Sequence, residues 1–221
     1  MIIFISFKNM ANDDLYLTIS RALSYSVIVL SLLAKLPQVW RTYSAKSSRG
    51  MSTRGQWLEL IAYQIGISYA YYYGYHITTY LDVIVCATQS SLILIMILYY
   101  NNQFNFENIL LIALFFLFII LSLLLLIPPS LLYIFVLSGI PVSAGSKLLQ
   151  IYSLYKSKNS ADVSTATWTI VTYCCMARVY SLSIEISGEY AIIYNYAISA
   201  LLNSIIVFQC FLYSQKKTKQ F

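Results

Sequence analysis

The feature that most constrains this chain is a series of seven apolar runs, each about 20 residues long and joined to the next by a short polar link. They cover residues 17–40, 56–75, 80–100, 108–127, 130–152, 163–184 and 190–213. A helix of about 20 residues rises about 30 Å, which is the thickness of the hydrocarbon core of a bilayer. The pattern therefore predicts an all-α protein with seven transmembrane helices.

The composition excludes a soluble alternative. Hydrophobic residues make up 59% of the chain and charged residues 10%, whereas a soluble domain has about 45–50% and about 25%. A soluble domain of 221 residues could not bury that much apolar surface. Intrinsic disorder is excluded because it requires low hydrophobicity. We therefore expect membrane lipid to cover most of the surface and no sizeable soluble domain to be present.

The residue types that carry chemistry are sparse. The four cysteines lie inside apolar runs, and His76 is the single histidine of the sequence. No pattern typical of a metal site, a nucleophile with its base, or a phosphate-binding loop is visible. We predict no catalytic residue, no metal ligand, no cofactor and no nucleic-acid partner, and we expect the chain not to be an enzyme.

The basic residues between and after the runs predict the orientation. They are Arg41, Lys46, Arg49, Arg54, Lys156, Lys158, Lys216, Lys217 and Lys219. With seven spans, all nine lie on one side, and the links on the other side carry no Lys or Arg. Lys and Arg accumulate in cytoplasmic loops. This distribution predicts a lumenal N-terminus and a cytoplasmic C-terminus.

The chain matches itself when it is shifted by 112 residues. Lys35-Leu36-Pro37-Gln38 aligns with Lys147-Leu148-Leu149-Gln150, and polar positions in the following links also match. The expected organisation is an N-terminal lumenal tail (1–16), a triple-helix unit (17–100), a connector with a linker helix (101–129), a second triple-helix unit (130–213) and a cytoplasmic tail (214–221). An odd linker leaves the two units parallel, the layout described for SWEET-type transporters.

The Pro37-Gln38 pair at the end of the first run predicts a bend. Proline removes a backbone donor and interrupts a helix. Pro37, Gln38 and the repeat-related Gln150 are candidate hinge residues on which a three-helix unit could rock. A static kink that only helps packing is the alternative.

Ionisable residues inside the runs are costly in a bilayer and often mark functional sites. Lys35 and Glu59 have similar predicted depths and can form an ion pair. Lys147 is the repeat-related equivalent of Lys35, but the position equivalent to Glu59 is occupied by Val171. Lys147, with Arg178 deep in the sixth run, is a candidate for binding a phosphate. Structural pairing of these cations is the alternative.

Asp82 and Gln89 lie seven residues apart and so share one face of the third helix. With Glu59 they are candidates for binding the sugar of a headgroup in a polar cavity. Ordinary interhelical hydrogen bonds are the alternative. At the C-terminus, Lys217 and Lys219 match the dilysine pattern of retrieval to the endoplasmic reticulum.

The segments Leu36-Pro37-Gln38-Val39, Ala45-Lys46-Ser47 and Gly50-Met51-Ser52 together resemble a PQ-loop repeat. Other segments resemble the members of that family that are needed for lumenal use of dolichol-phosphate-mannose and dolichol-phosphate-glucose. These segments are Leu58-Glu59-Leu60, Asp82 ahead of Gln89, Lys147-Leu148-Leu149-Gln150 and Ala177-Arg178.

This resemblance implies a protein of the endoplasmic-reticulum membrane that serves N-glycan, GPI-anchor and protein mannosylation pathways. Such a protein would either move the lipid-linked sugar or present it to lumenal mannosyl- and glucosyltransferases. Two other functions remain open: transport of a small solute, such as a sugar or an amino acid, and service as a cargo receptor. The replacement of the second Pro-Gln by Leu149-Gln150 counts against the solute transporter.

Overall fold

The computed structural model describes residues 2–48, 51–158, 160, 164–186 and 190–214, with the side chains of all of these except 2–13, 34 and 214. These residues form eight α-helices, a single 3₁₀ turn at Ile77–Thr79, and no strand. The helices are α1 (Ile2–Ala34), α2 (Leu36–Ala45), α3 (Thr53–Tyr72), α4 (Leu81–Tyr100), α5 (Phe106–Leu123), α6 (Pro129–Ser157), α7 (Thr165–Glu185) and α8 (Tyr190–Ser214). Since only Lys35 separates α1 from α2, the predicted all-helical, seven-helix chain is confirmed.

The helices differ in how apolar they are. Within the described residues, five segments are long and apolar enough to cross a membrane: Asp14–Ala45, Leu81–Tyr100, Phe106–Leu123, Pro129–Ser157 and Tyr190–Tyr213. Helices α3 and α7 have 20 and 21 residues but are more polar. They carry Glu59 and Arg178, charged groups that are costly to expose to the bilayer.

The chain forms two compact units. Unit A is Ile28–Val136, and unit B comprises Met1–Val27 and Leu137–Phe221. In unit A, α3 packs on α4, and the buried core there contains Trp57, Leu60, Leu94 and Leu98. In unit B, α7 packs on α8 around buried Leu154, Ile206 and Cys210. Each unit therefore has its own apolar core around one such helix pair.

Equivalent backbone features occur at positions of the two units that the predicted repeat aligns. Lys46 and Lys158, 112 positions apart, both adopt the left-handed conformation, with φ of 46° and 50°. Ser52 caps α3 by accepting a hydrogen bond from the Gly55 amide, and Ser164 caps α7 in the same way. These features are set by local sequence, so the two copies fold by the same rules.

The helix break at Lys35 exists in one copy alone. Pro37, in the first turn of α2, has no amide hydrogen to donate, and the last carbonyls of α1 lose their helical partners. The side chain of Gln89 donates from Nε2 to one of them, the Leu32 carbonyl oxygen, at 2.8 Å. In the second copy, where Leu149 replaces the proline, α6 runs unbroken through Gln150. The first copy therefore has both the proline and the Gln89 amide that bonds a freed carbonyl of α1.

Removing either repeat-related cap should destabilise the protein equally. Ser52→Ala and Ser164→Ala are each expected to lower the free energy of unfolding by about 1 kcal/mol, because one amide at the helix start loses its acceptor. Thermal denaturation of the purified protein in lipid nanodiscs would measure this. Ser183→Ala is the control, since the exposed Ser183 hydroxyl bonds only to the Val179 carbonyl of its own helix. Equal stability of all three variants would contradict the prediction.

Candidate functional site

Lys35 lies at the break between α1 and α2 and is neutralised inside unit A. Its ammonium Nζ lies 2.5 Å from Glu59 Oε2 on α3 and 2.5 Å from the Ser90 hydroxyl on α4. It also stands over the Tyr63 ring, 5.2 Å from the ring centroid. The predicted Lys35–Glu59 ion pair is therefore present, and it ties the break to two neighbouring helices.

Both oxygens of the Glu59 carboxylate have donors besides Lys35. The Tyr63 hydroxyl donates to Oε1 at 3.0 Å, and Gln56 Nε2 donates to Oε2 at 3.1 Å. The Gln56 amide also reaches the Ser90 carbonyl oxygen at 3.4 Å. Glu59, Lys35 and their neutral partners all come from unit A. They form a hydrogen-bonded cluster in which the two charges cancel.

Lys147 on α6 has different surroundings in unit B. Its Nζ donates to the Ser143 hydroxyl at 2.6 Å and to the Ser199 hydroxyl at 3.2 Å. In the part of the chain that the structure describes, no carboxylate lies within 4.0 Å of this ammonium. The positive charge of Lys147 is therefore held by neutral oxygens alone.

The two lysines occupy equivalent sites. The chain between α7 and α8 is four residues shorter than that between α3 and α4, and α7 is one residue longer than α3, so α4 and α8 correspond at a separation of 109. Ser90 then corresponds to Ser199, and both accept from the repeat-related lysine. Ser48 bonds Asn101, and the corresponding Ser160 bonds the Cys210 carbonyl oxygen. The two sites differ at position 59, where Glu59 pairs with Lys35, because the corresponding residue of unit B is Val171.

Arg178 is the largest fully buried side chain in the described part of the protein, with 1% of its surface exposed. It lies about 20 Å along α7 from Thr165, and its Nη1 donates to the Ser24 hydroxyl of α1 at 3.4 Å. Near the end of α7, Ser20 donates to Glu185 Oε1 at 2.5 Å. A polar seam therefore joins α7 to the first part of α1.

Cys175 connects the two cations of unit B. It lies one helical turn before Arg178 on the same face of α7, and its partner Asn203 lies one turn after Ser199, which accepts from Lys147. Asn203 of α8 donates from Nδ2 to the Cys175 sulfur at 3.6 Å, while its own buried Oδ1 has no partner among the described residues. Lys147 and Arg178 thus border one polar region that retains an unused acceptor.

The other predicted site residues are dispersed. Asp82 is in the first turn of α4, about 12 Å along the helix from Ser90, and Gln89 is engaged at the helix break. Pro37 and Gln38 are exposed in the first turn of α2, and Gln150 is partly buried in the middle of a continuous helix. Lys217 and Lys219 lie outside the described residues.

Several interacting residues were not predicted. Ser90 and Ser199 were missed because a single shift of 112 places Ser90 over Leu202. The segment 101–108, predicted as a plain connector, is anchored at several points. Ser48 and Thr53 donate to Asn101 and Gln103, and Trp57 donates to Asn108 at 3.1 Å. The high proportion of Asn and Gln in segment 101–108 is the sequence feature that could have predicted these hydrogen bonds.

Comparison with known proteins agrees with this arrangement. Residues 19–78 match the model of the PQ loop repeat family, a range that contains the helix break, the basic link and α3. The chain is also 26% identical over 180 residues to human solute carrier family 66 member 3, a match that covers 81% of this chain and 87% of that relative. The chain is therefore a multi-pass, all-helical membrane protein that carries a PQ loop repeat and is distantly related to solute carrier family 66 member 3.

Proposed function

We propose that this chain is a non-enzymatic protein of the endoplasmic-reticulum membrane that makes dolichol-phosphate-mannose and dolichol-phosphate-glucose available on the lumenal side. It either moves the lipid-linked sugar across the bilayer or presents it to lumenal mannosyl- and glucosyltransferases. Its N-terminus is lumenal and its C-terminus cytoplasmic, as the basic links and the dilysine pattern at Lys217 and Lys219 indicate. Within the PQ-loop family, its sequence resembles the mannose-P-dolichol utilization defect 1 protein.

The observation that carries the proposal is the difference between the two lysines. Lys35 is paired with Glu59, whereas Lys147 donates only to neutral oxygens of Ser143 and Ser199 among the described residues. A cation at membrane depth with no carboxylate beside it is suited to an anionic ligand, and charge-assisted bonds to phosphate are strong. A phosphodiester that links a sugar to a membrane lipid supplies that anion at that depth.

The remaining polar residues take different roles in this proposal. Arg178 adds a second cation in the region that Lys147 borders, and the free Oδ1 of Asn203 can accept a hydrogen bond there. Asp82 stays a candidate for the sugar. Glu59 and Gln89, predicted as headgroup ligands, already bond Lys35 and the Leu32 carbonyl. We therefore assign these two residues to stabilising the helix break.

Adding a carboxylate at the position equivalent to Glu59 should weaken the proposed site. In Val171→Glu, the new side chain can pair with Lys147 as Glu59 pairs with Lys35, so it would compete with the phosphate. We expect N-glycan occupancy in cells that carry this variant alone to fall, though less than on removal of Lys147. Val171→Gln, of the same size but neutral, is the matched control. Equal occupancy for the two variants would contradict the prediction.

The proposed function is tested by the lipid-linked oligosaccharide profile of cells that lack this protein. We expect arrest at the intermediate that awaits the first lumenal mannose, with normal synthesis of dolichol-phosphate-mannose. Loss of that synthesis would place the defect upstream of this protein. A normal profile would overturn the proposed function.

Transport of a small solute is a second candidate, because the similar human protein is named as a solute carrier. This function requires a solute pathway rather than a lipid headgroup site. Proteoliposomes that contain the purified chain would then take up free sugar or amino acid above the rate of empty vesicles. Uptake together with a normal oligosaccharide profile would favour this candidate over the first.

A further inference from the structure

A groove lies between α2 and α4 within unit A. It has a volume of about 360 Å³ and is lined almost wholly by apolar atoms. Leu36, Val39, Trp40 and Tyr43 form one wall, spaced three and four residues apart on α2, and Ile95 and Met96 contribute to the other. At membrane depth such a surface accepts hydrocarbon and no polar ligand.

The α2 wall is fixed in place. Thr42, on a neighbouring face of this helix, is buried, and its hydroxyl contacts the Met51 sulfur at 3.5 Å. Trp40 is nevertheless 70% exposed, and its ring lies 6.5 Å from that of Tyr43. The helix therefore holds two aromatic rings outward along the groove while the face that carries Thr42 is packed.

Basic residues surround the end of α2. Arg41, Lys46 and Arg54 are exposed, and Lys46 ends α2 three residues after Tyr43. Exposed Lys and Arg beside an apolar surface attract lipids with an anionic headgroup, each by about 1 kcal/mol. The groove thus combines a hydrocarbon surface with positive charge at one end, which is complementary to a lipid that bears a phosphate.

We propose that this groove binds the polyprenyl chain of a dolichyl phosphate lipid, with the phosphate beside Lys46. The proposal rests on the proposed function and adds a docking position separate from the one at Lys147. A dolichyl phosphate has a single apolar chain for each phosphate, which matches one apolar groove with positive charge at one end.

Photolabelling tests this proposal with the full-length protein in phosphatidylcholine vesicles. The probes are a dolichyl phosphate and an uncharged dolichol, each with a photoreactive group in the chain, and labelled peptides are mapped by mass spectrometry. We expect the phosphate probe to label α2 and α4 more strongly than the uncharged probe. Ile95→Trp, which fills the groove, should lower this labelling at least fivefold. Lys46→Gln should lower labelling by the phosphate probe alone.

The control variant is Ile109→Trp, which places the same side chain on α5 at a residue that is as exposed as Ile95 and lies outside the groove. Equal labelling of α2 and α4 by a photoreactive diacyl phospholipid would overturn the proposal, because the groove would then be ordinary bilayer contact. Labelling confined to α6–α8 would overturn the proposal that the groove binds the lipid, but it would leave the proposed function standing. No labelling above background anywhere would count against both.

Discussion

Replacing Lys147 with alanine is expected to abolish function while the protein remains folded. The variant removes a charge-assisted interaction with the phosphate, whose loss costs about 1.5–3 kcal/mol, so headgroup binding should weaken roughly 10- to 100-fold. Stability should change little, because the partners left behind are the hydroxyls of Ser143 and Ser199. Neither group carries a charge that would become unpaired.

The measurement is rescue of the lipid-linked oligosaccharide profile in cells that lack the chromosomal copy. Lys147→Ala should leave the arrest in place at wild-type protein levels. Lys147→Arg keeps the charge and should restore a large part of the normal profile. Full rescue by the alanine variant would show that Lys147 does not bind the headgroup.

The same substitution at the equivalent lysine of unit A is expected to act on stability instead. Lys35→Ala leaves the Glu59 carboxylate without its cation, and breaking a buried pair in this way costs about 3–5 kcal/mol. Because 38% of the Glu59 side chain is exposed and Tyr63 and Gln56 still donate to it, we expect a smaller loss of about 1–3 kcal/mol. Helix α2 should also become less firmly attached to α3 and α4.

A double variant separates the unpaired charge from the loss of the lysine itself. Lys35→Leu with Glu59→Leu removes both charges and should recover most of the stability lost in Lys35→Ala. Thermal denaturation in nanodiscs would report both values. If Lys35→Ala proves as stable as Lys147→Ala, the two repeats do not differ in charge pairing as described here.

Much of the fold could be predicted because the bilayer imposes simple rules on a sequence. Apolar runs of similar length predicted the seven helices, and matching polar residues predicted the internal repeat. The Lys35–Glu59 pair was predictable from depth alone, since each residue stands five or six positions from a basic link. Helical rise converts such positions into heights directly.

Contacts that depend on how helices rotate against one another could not be predicted. Ser90 meets Lys35 only because α4 packs on α3 in one particular register, and Ser199 is recognised as its equivalent only once the shorter chain between α7 and α8 is known. Gln89 was expected to face a substrate, yet it bonds a carbonyl released by the break. The sequence pattern placed Gln89 on one face of the third helix with Asp82, but it did not show which acceptor Gln89 would bond.

The proposed function requires Lys147 to form part of a site for a lipid-linked sugar phosphate. It is tested most directly by titrating purified wild-type protein and Lys147→Ala in nanodiscs with dolichol-phosphate-mannose, with dolichol and free mannose as reference ligands. We predict saturable binding of the phosphate lipid to the wild type, at least tenfold weaker binding to the variant, and no comparable binding of either reference ligand. Equal binding to both proteins, or wild-type binding of free mannose alone, would contradict this requirement.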